Sequence, residues 1–260
     1  MGEFPIGCQT ITWGEKQREM FPQVFDEAKK AGYAGVEIGV RHVSDITPDT
    51  LTQLLDEAGL ALVALHVGGN LFNKDQADGE RSALDVSIDY TKMAGARIMI
   101  HSGMNIKDKA QFAKDLDALS RAADACKAQG IYLMHHNHNW EFADGGWVIK
   151  ALIEDTSKAL GFCPDIGWVM RGGVDTVEFL ERIKGRVGAI HFKDFGKIND
   201  KWETVMLGEG VAPLKEAATW IKKNTSGMWA IAEQDRAAVP PAEAVARNAE
   251  YMGKVMGVGW

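Results

Sequence analysis

Residues Ile131–Phe142, IYLMHHNHNWEF, begin as a short apolar run and turn abruptly into His135, His136, Asn137, His138, Asn139 and Glu141. The first half has the length and composition of a buried strand. The second half consists of side chains that ligate metals or form hydrogen bonds. A buried strand that empties into ligands suggests a site at the strand's end, against the plainer reading of a polar loop with surface histidines. Three later segments repeat the pattern and favour a site: Leu160–Cys163 delivers Pro164 and Asp165, Val187–Phe192 carries His191, and Trp229–Ala232 leads into Glu233.

Upstream, strand-like and helix-like segments alternate. Ile6–Thr12 reads as a strand, and the helix after it places Phe21, Val24, Phe25 and Ala28 on one face and Gly32 at its end. Ala34–Ile38 is again strand-like and holds Glu37. The next helix is signalled at both ends, with Thr47 as cap, Pro48 at the first helical position, Leu51, Leu54, Leu55 and Ala58 on one face, and Gly59 as its stop. Ala61–Val67 is a third strand ending near His66, and Arg97–Ile100 a fourth that reaches His101, with a helix from about Glu80 to Ala94 between them. A long helix then carries Phe112, Leu116, Leu119, Ala123 and Cys126 at helical spacing before Gly130.

Downstream, helices are expected over Trp147–Glu154, Asp175–Lys184 and Pro213–Lys223, and after Pro240 or Pro241. Two long loops are expected, Gly68–Gly79, glycine-rich and placed to cover a site, and Lys193–Gly210. Eight strand-helix units alternate without a linker between them, which implies parallel strands closed into one (β/α)₈ barrel domain over residues 1–260. The absence of GxGxxG after the first strand argues against an open dinucleotide-binding sheet.

Composition narrows the function classes. A hydrophobic content of 46% and a charged content of 25% suit a globular protein with a large core. A net charge of -7 without a basic stripe argues against nucleic acid as a partner. The opening MGEFPIGCQT has no signal-peptide pattern and no apolar run is long enough to span a membrane, so a cytoplasmic protein without a membrane partner is expected. Cys8, Cys126 and Cys163 lack CxxC spacing and read as free buried thiols. Oligomeric state, homo-oligomer included, is left open by the sequence.

In a barrel the C-terminal strand ends converge, so Gln9, Glu37, His66, His101, the His136–Glu141 cluster, Asp165, His191 and Glu233 meet on one face. Glu141, Asp165, His191 and Glu233 come from four consecutive strands and supply three carboxylates and one imidazole. That set suits an octahedral divalent cation, Mn²⁺ foremost and Mg²⁺ or Co²⁺ as alternatives. Trp13, Trp168 and Met170 can form an apolar wall beside the site, and Lys193, Asp194 and Glu209 can hydrogen-bond a ligand, with core packing and a salt-bridged loop as the plainer readings.

HHNHNWEF, CPDIGWVMRGG, IHFKDF, LGEG and AIAEQD resemble, in order and placement, the strand-end motifs of the xylose isomerase-like TIM barrels, which include sugar phosphate isomerases and epimerases. The resemblance implies a metal held by Glu141, Asp165, His191 and Glu233, with Glu141 and Glu233 as an acid/base pair. Gln9, Trp13, His66, His101, His138, Trp168, Lys193 and Glu209, read from their positions along the chain, are the candidate substrate contacts beside that metal. Glu141 lies beyond the strand end, so His136 or His138 is a candidate for part of its role as ligand or base. Trp168 stands where many epimerases have histidine, and DxxWV with HNHxxEF is more similar to inosose dehydratase relatives and enzymes that cleave 3-keto-glycosides. The implied function is a metal-dependent isomerase or epimerase acting on a keto sugar through an enediolate. A lyase or dehydratase acting across C1–C2 of a 3-keto-glycoside, or on an inosose, is the alternative. An apurinic-site endonuclease and a non-catalytic sugar-binding barrel stand further off.

Overall fold

The computed structural model describes residues 4–68, 83–104 and 108–259. Six strands follow one another around a ring: β1 (Ile6–Gln9), β2 (Gly35–Gly39), β3 (Ala61–Val67), β4 (Ile98–His101), β5 (Tyr132–His135) and β6 (Gly161–Phe162). β7 (Ala189–Phe192) is followed by β8 (Asp194–Ile198) and β9 (Lys201–Val205), which among the described residues pair with each other alone, as an antiparallel hairpin. β10 (Trp229–Ala232) lies between β7 and β1, so the main sheet has eight strands, all parallel. The isolated parallel bridges Phe162–Val187 and Asp165–His191 join β6 to β7 and close the (β/α)₈ barrel.

The helices form where capping and periodicity place them. α1 (Phe21–Ala31) buries Phe21, Val24, Phe25 and Ala28 and ends at Gly32, whose φ of 98° is left-handed. α2 (Pro48–Ala58) starts with the Thr47 hydroxyl accepting from Thr50 N and ends at left-handed Gly59. α3 (Ala83–Met93), α4 (Lys109–Ala128) and α5 (Trp147–Glu154) follow, with Asp108 capping α4. α6 (Ile166–Arg171), α7 (Thr176–Arg182), α8 (Leu214–Asn224) and α9 (Pro241–Tyr251) complete the helical layer. None of the described helices is long and apolar enough to cross a membrane. The three cysteines are free and buried.

Strand alternation divides the core. Val63, Ile100, Met134, Cys163, Ala189 and Ile231 pack together in the barrel lumen, while Met99, Leu133, Ile190 and Ala230 pack outward with the helices. Two expectations need correction, and one short helix was not foreseen. The first strand stops at Gln9, whose side chain accepts from Ile11 N and starts a 3₁₀ turn over Thr10–Trp13. Lys193–Gly210 is not a loop: it contains the β8–β9 hairpin, turned by Asn199 and Asp200 at φ of 51° and 60°. Asp165 is followed at once by α6, which its carboxylate caps. The Gly68–Gly79 covering loop lies, beyond Gly68, outside the described residues, as does the start of the helix expected at Glu80.

Candidate metal centre and substrate pocket

The same alternation decides which strand-end side chains enter the mouth. On β5, Leu133 points outward and Met134 inward, so His135 is outward and His136 inward. His101 is in register with His135 and shares its direction, and the two rings lie 5.7 Å apart. His191 and Glu233 follow the inward residues Ala189 and Ile231 at a spacing of two and enter the lumen.

His136, Asp165, His191 and Glu233 bring ligand atoms within 4.8 Å of one another, and all four are buried. Glu233 Oε2 lies 2.5 Å from His191 Nδ1 and 3.3 Å from His136 Nε2. Asp165 Oδ1 accepts from Trp168 N at 2.8 Å to cap α6. Its other oxygen, buried, makes no hydrogen bond among the described residues and lies 3.4 Å from His136 Nε2. Asn137 holds the Asp165 backbone on both sides, donating to its carbonyl at 3.3 Å and accepting from its N–H at 3.1 Å.

The carboxylates hold positive charge at this place, supplied by Lys193 and protonated imidazoles. The buried Lys193 ammonium lies 3.1 Å from Glu233 Oε1, 3.1 Å from Asp235 Oδ1 and 3.7 Å from Asp165 Oδ2. Burial acts against that charge, but the three carboxylates outweigh it and hold the ammonium protonated. Burial likewise pushes the Glu233 carboxyl up, and Lys193 and His191 outweigh it, so Glu233 stays ionised. His191 is drawn well above the usual imidazole range despite burial, by Cys163, Glu37 and Glu233, and His136 is raised against burial by Asp165 and Glu233. Imidazoles that hold protons so strongly occupy a place suited to a cation. A buried carboxylate oxygen held only by longer ion-pair contacts, together with four convergent donors, fits a divalent ion held by His136, Asp165, His191 and Glu233.

The pocket above this group is a cavity of about 370 Å³ lined by Gln9, His66, Ser102, His136, His138 and Glu233, with Gln17, Arg41 and His42 toward the rim. His138 is kept neutral, its pKa pushed down to about 2 by burial and by the charges of His136 and Lys193, and its ring stacks on Trp140 at 4.1 Å. Trp168 stands beside it, 5.5 Å from the His138 ring, with Lys193 Nζ 5.2 Å over its own ring. Glu37, fully buried, reaches His66 Nδ1 with Oε1 at 2.8 Å and His191 Nε2 with Oε2 at 2.6 Å. Burial raises its pKa, but His191 and His66 together bring it down to about 2.

Several residues expected at the site are elsewhere. Glu141 is not in the ligand group. The 3₁₀ turn Asn139–Phe142 carries it back to the outer face, where Oε2 meets His135 Nε2 at 2.9 Å and Oε1 accepts from His138 N at 3.3 Å. His136 stands in the group instead. His101, outward and buried, does not line the pocket. Trp13 packs in the core and donates to Glu27 at 2.6 Å. Glu209 pairs with Arg247 at the surface, and the Asp194 carboxylate binds the N–H groups of Gly208, Gly210 and Ala212, closing a loop rather than facing the cavity. Glu37, Asn137 and Ser102 complete the site; the sequence reading placed Glu37 and Asn137 on the converging face without a specific task, and missed Ser102. Glu37 carried a signal as an acid inside a strand whose neighbours Val36 and Ile38 are core residues.

A (β/α)₈ barrel with a buried His/Asp/His/Glu group at the C-terminal mouth defines a class of barrels suited to a divalent metal. Within that class, the chain belongs to the xylose isomerase-like TIM barrel family, whose model matches residues 25–255. No protein of curated function matches its sequence. Among solved structures, a sugar phosphate isomerase/epimerase from Parabacteroides distasonis superposes with a TM-score of 0.80 at 20% identity, covering 98% of this chain and 95% of that one. A D-allulose 3-epimerase from Methylomonas sp. in complex with D-allulose gives 0.76 at 15% identity over 98% and 97% of the two chains. The probable 3-DHS dehydratase AsbF from Bacillus anthracis gives 0.74 at 12% identity over 97% and 100%. At these identities the likeness is one of fold.

Proposed function

We propose that the protein is a divalent-metal-dependent isomerase or epimerase of a keto sugar or close derivative, acting by removal of the proton next to the carbonyl. The observation that carries this reading is the double placement of Glu233. It belongs to the ligand group and also lines the pocket, where among the described residues it is the only carboxylate in the wall. Lys193 and His191 keep it ionised, as a base requires. A divalent ion held by the four ligands would stabilise the negative charge that develops on the enediolate oxygens. The buried Lys193 adds a fixed positive charge 3.1 Å from Glu233. Neutral His138 can donate or accept one hydrogen bond with a substrate hydroxyl, and Gln9 offers an amide at the same wall. Two imidazoles with two carboxylates suit Mn²⁺ or Co²⁺ better than Mg²⁺, and Mn²⁺ is the metal proposed.

A second reading draws on the position of Glu141. With that residue turned onto His135, two glutamates do not flank the cavity, and the pocket holds one carboxylate with imidazoles. One base and a neighbouring proton donor are what β-elimination needs, as in a lyase or dehydratase acting on a 3-keto-glycoside or an inosose. Incubation of Mn²⁺-loaded protein with a ketose panel in deuterated water is expected to place deuterium on carbon. Release of aglycone or water from a 3-keto-sugar, with no exchange into ketoses, would establish the second reading instead. Inactivity on both panels would overturn both. DNA carrying an abasic site is expected to stay uncut, given the net charge of -7.

A further inference from the structure

We propose that Glu37 is the positioning residue of the metal centre: its carboxylate turns His191 so that Nδ1 faces the ligand group and, with its second oxygen, sets His66 against the substrate pocket. The inference rests on the reading of His136, Asp165, His191 and Glu233 as metal ligands.

Glu37 lies on β2 and His191 on β7, 154 residues apart, yet the 2.6 Å contact between Oε2 and His191 Nε2 joins them across the lumen. Both side chains are fully buried. A carboxylate in such a place is costly unless each oxygen finds a donor. The two donors are imidazoles, His191 through Nε2 and His66 through Nδ1. An ionised carboxylate only accepts, so both contacts assign the proton to the ring nitrogen that faces Glu37. His191 Nδ1 in turn donates to Glu233 Oε2 at 2.5 Å; a metal would displace that proton, so Nδ1 is the nitrogen that can ligate it while Nε2 stays held by Glu37. For His66 the contact with Glu37 leaves Nε2 to accept from the Ser102 hydroxyl at 2.8 Å, and both of these residues line the pocket. One carboxylate therefore fixes a metal ligand on one side and a substrate-facing pair on the other. A hydrogen bond from a metal-ligating imidazole to a carboxylate orients the ring and raises its basicity, and its loss typically weakens metal binding about 10–100-fold.

Calorimetric titration of metal-free protein with Mn²⁺ tests the assignment, using wild type, Glu37→Gln, His66→Gln and His191→Ala. The glutamine is isosteric but neutral and offers one acceptor where the carboxylate offers two. Expected results are loss of binding in His191→Ala, about 10–100-fold weaker binding in Glu37→Gln, and unchanged affinity in His66→Gln, with metal-free melting temperatures close to wild type. Wild-type affinity in Glu37→Gln beside lost affinity in His191→Ala would overturn the role of Glu37 and leave the metal site standing. Unchanged affinity in His191→Ala would overturn the metal reading itself. Should Glu37→Gln not fold, nitrogen NMR of labelled histidines in wild-type protein loaded with diamagnetic Zn²⁺ decides the matter. A His191 ring protonated at Nε2 is expected, and one protonated at Nδ1 would refute the assignment.

Discussion

Asp165 does two jobs with two oxygens, and substitution can separate them. One oxygen caps α6 through Trp168 N, while the other, without a hydrogen bond, belongs to the ligand group. Asp165→Asn should keep the cap and lose metal affinity, whereas Asp165→Ala should lose both, at about 1 kcal/mol for the cap. Thermal melting of the metal-free variants, beside their metal content, reads the two effects apart. Glu233→Gln retains an oxygen ligand but no longer accepts a proton, so turnover should fall by about 10²–10⁴ with a smaller loss of bound metal. Full turnover in that variant would remove Glu233 from the role of base. Glu141→Gln should leave metal stoichiometry unchanged and cost about 1–3 kcal/mol of stability, because its partners are His135 and the His138 backbone. Asp165, His191 and Glu233 were legible in the sequence because each directly ends or continues a short apolar strand. Glu141 was misplaced because a 3₁₀ turn reverses direction within a few residues, and spacing along the chain does not report that reversal.

At the scale of the elements, the barrel was legible because its signals are local: apolar runs for strands, helical spacing for the outer layer, and end signals such as the Thr47 cap and the Gly59 stop. The direction of each strand-end side chain was also within reach. His101 and His135 follow Met99 and Leu133 by two residues and share their outward face, a parity that excludes them from the pocket. The β8–β9 hairpin was hidden because Asn199 and Asp200 turn it without glycine, and because the exposed Ile198 and Trp202 leave no clean apolar alternation. Its base depends on the Asp194 carboxylate, which gathers the N–H groups of Phe195, Gly208, Gly210 and Ala212 at 2.9–3.0 Å. A Cβ at Gly210 would come within 2.4 Å of the Phe195 carbonyl oxygen and 2.3 Å of Asp194 Oδ1. Gly210→Ala is therefore expected to cost about 1–3 kcal/mol, lowering the melting temperature with little change in Mn²⁺ affinity. A melting curve that overlays wild type would show that the clamp can relax.

For the whole molecule, an ion bound to the native state alone adds stability by mass action, about 2.7 kcal/mol at a hundredfold excess over its dissociation constant. At about 2–4 °C per kcal/mol for a protein of this size, chelation should lower the melting temperature by roughly 5–11 °C. A melting point indifferent to chelator would contradict a metal bound in the buried group. The location of that group matters as much as its affinity. β6 is two residues long and meets β7 only through isolated bridges, one of which is Asp165–His191. Two of the residues that would grip an ion thus face each other across the thinnest joint of the ring. A cation there acts as a rivet. In its absence the barrel should breathe open along this line, and the amides of Phe162 and His191, which donate across it to Arg186 and Pro164, should trade hydrogen for solvent deuterium faster than the other barrel-strand amides. Loading a metal should slow that exchange at the seam first, so an ion that equipped the mouth for chemistry would also set how long the ring stays shut.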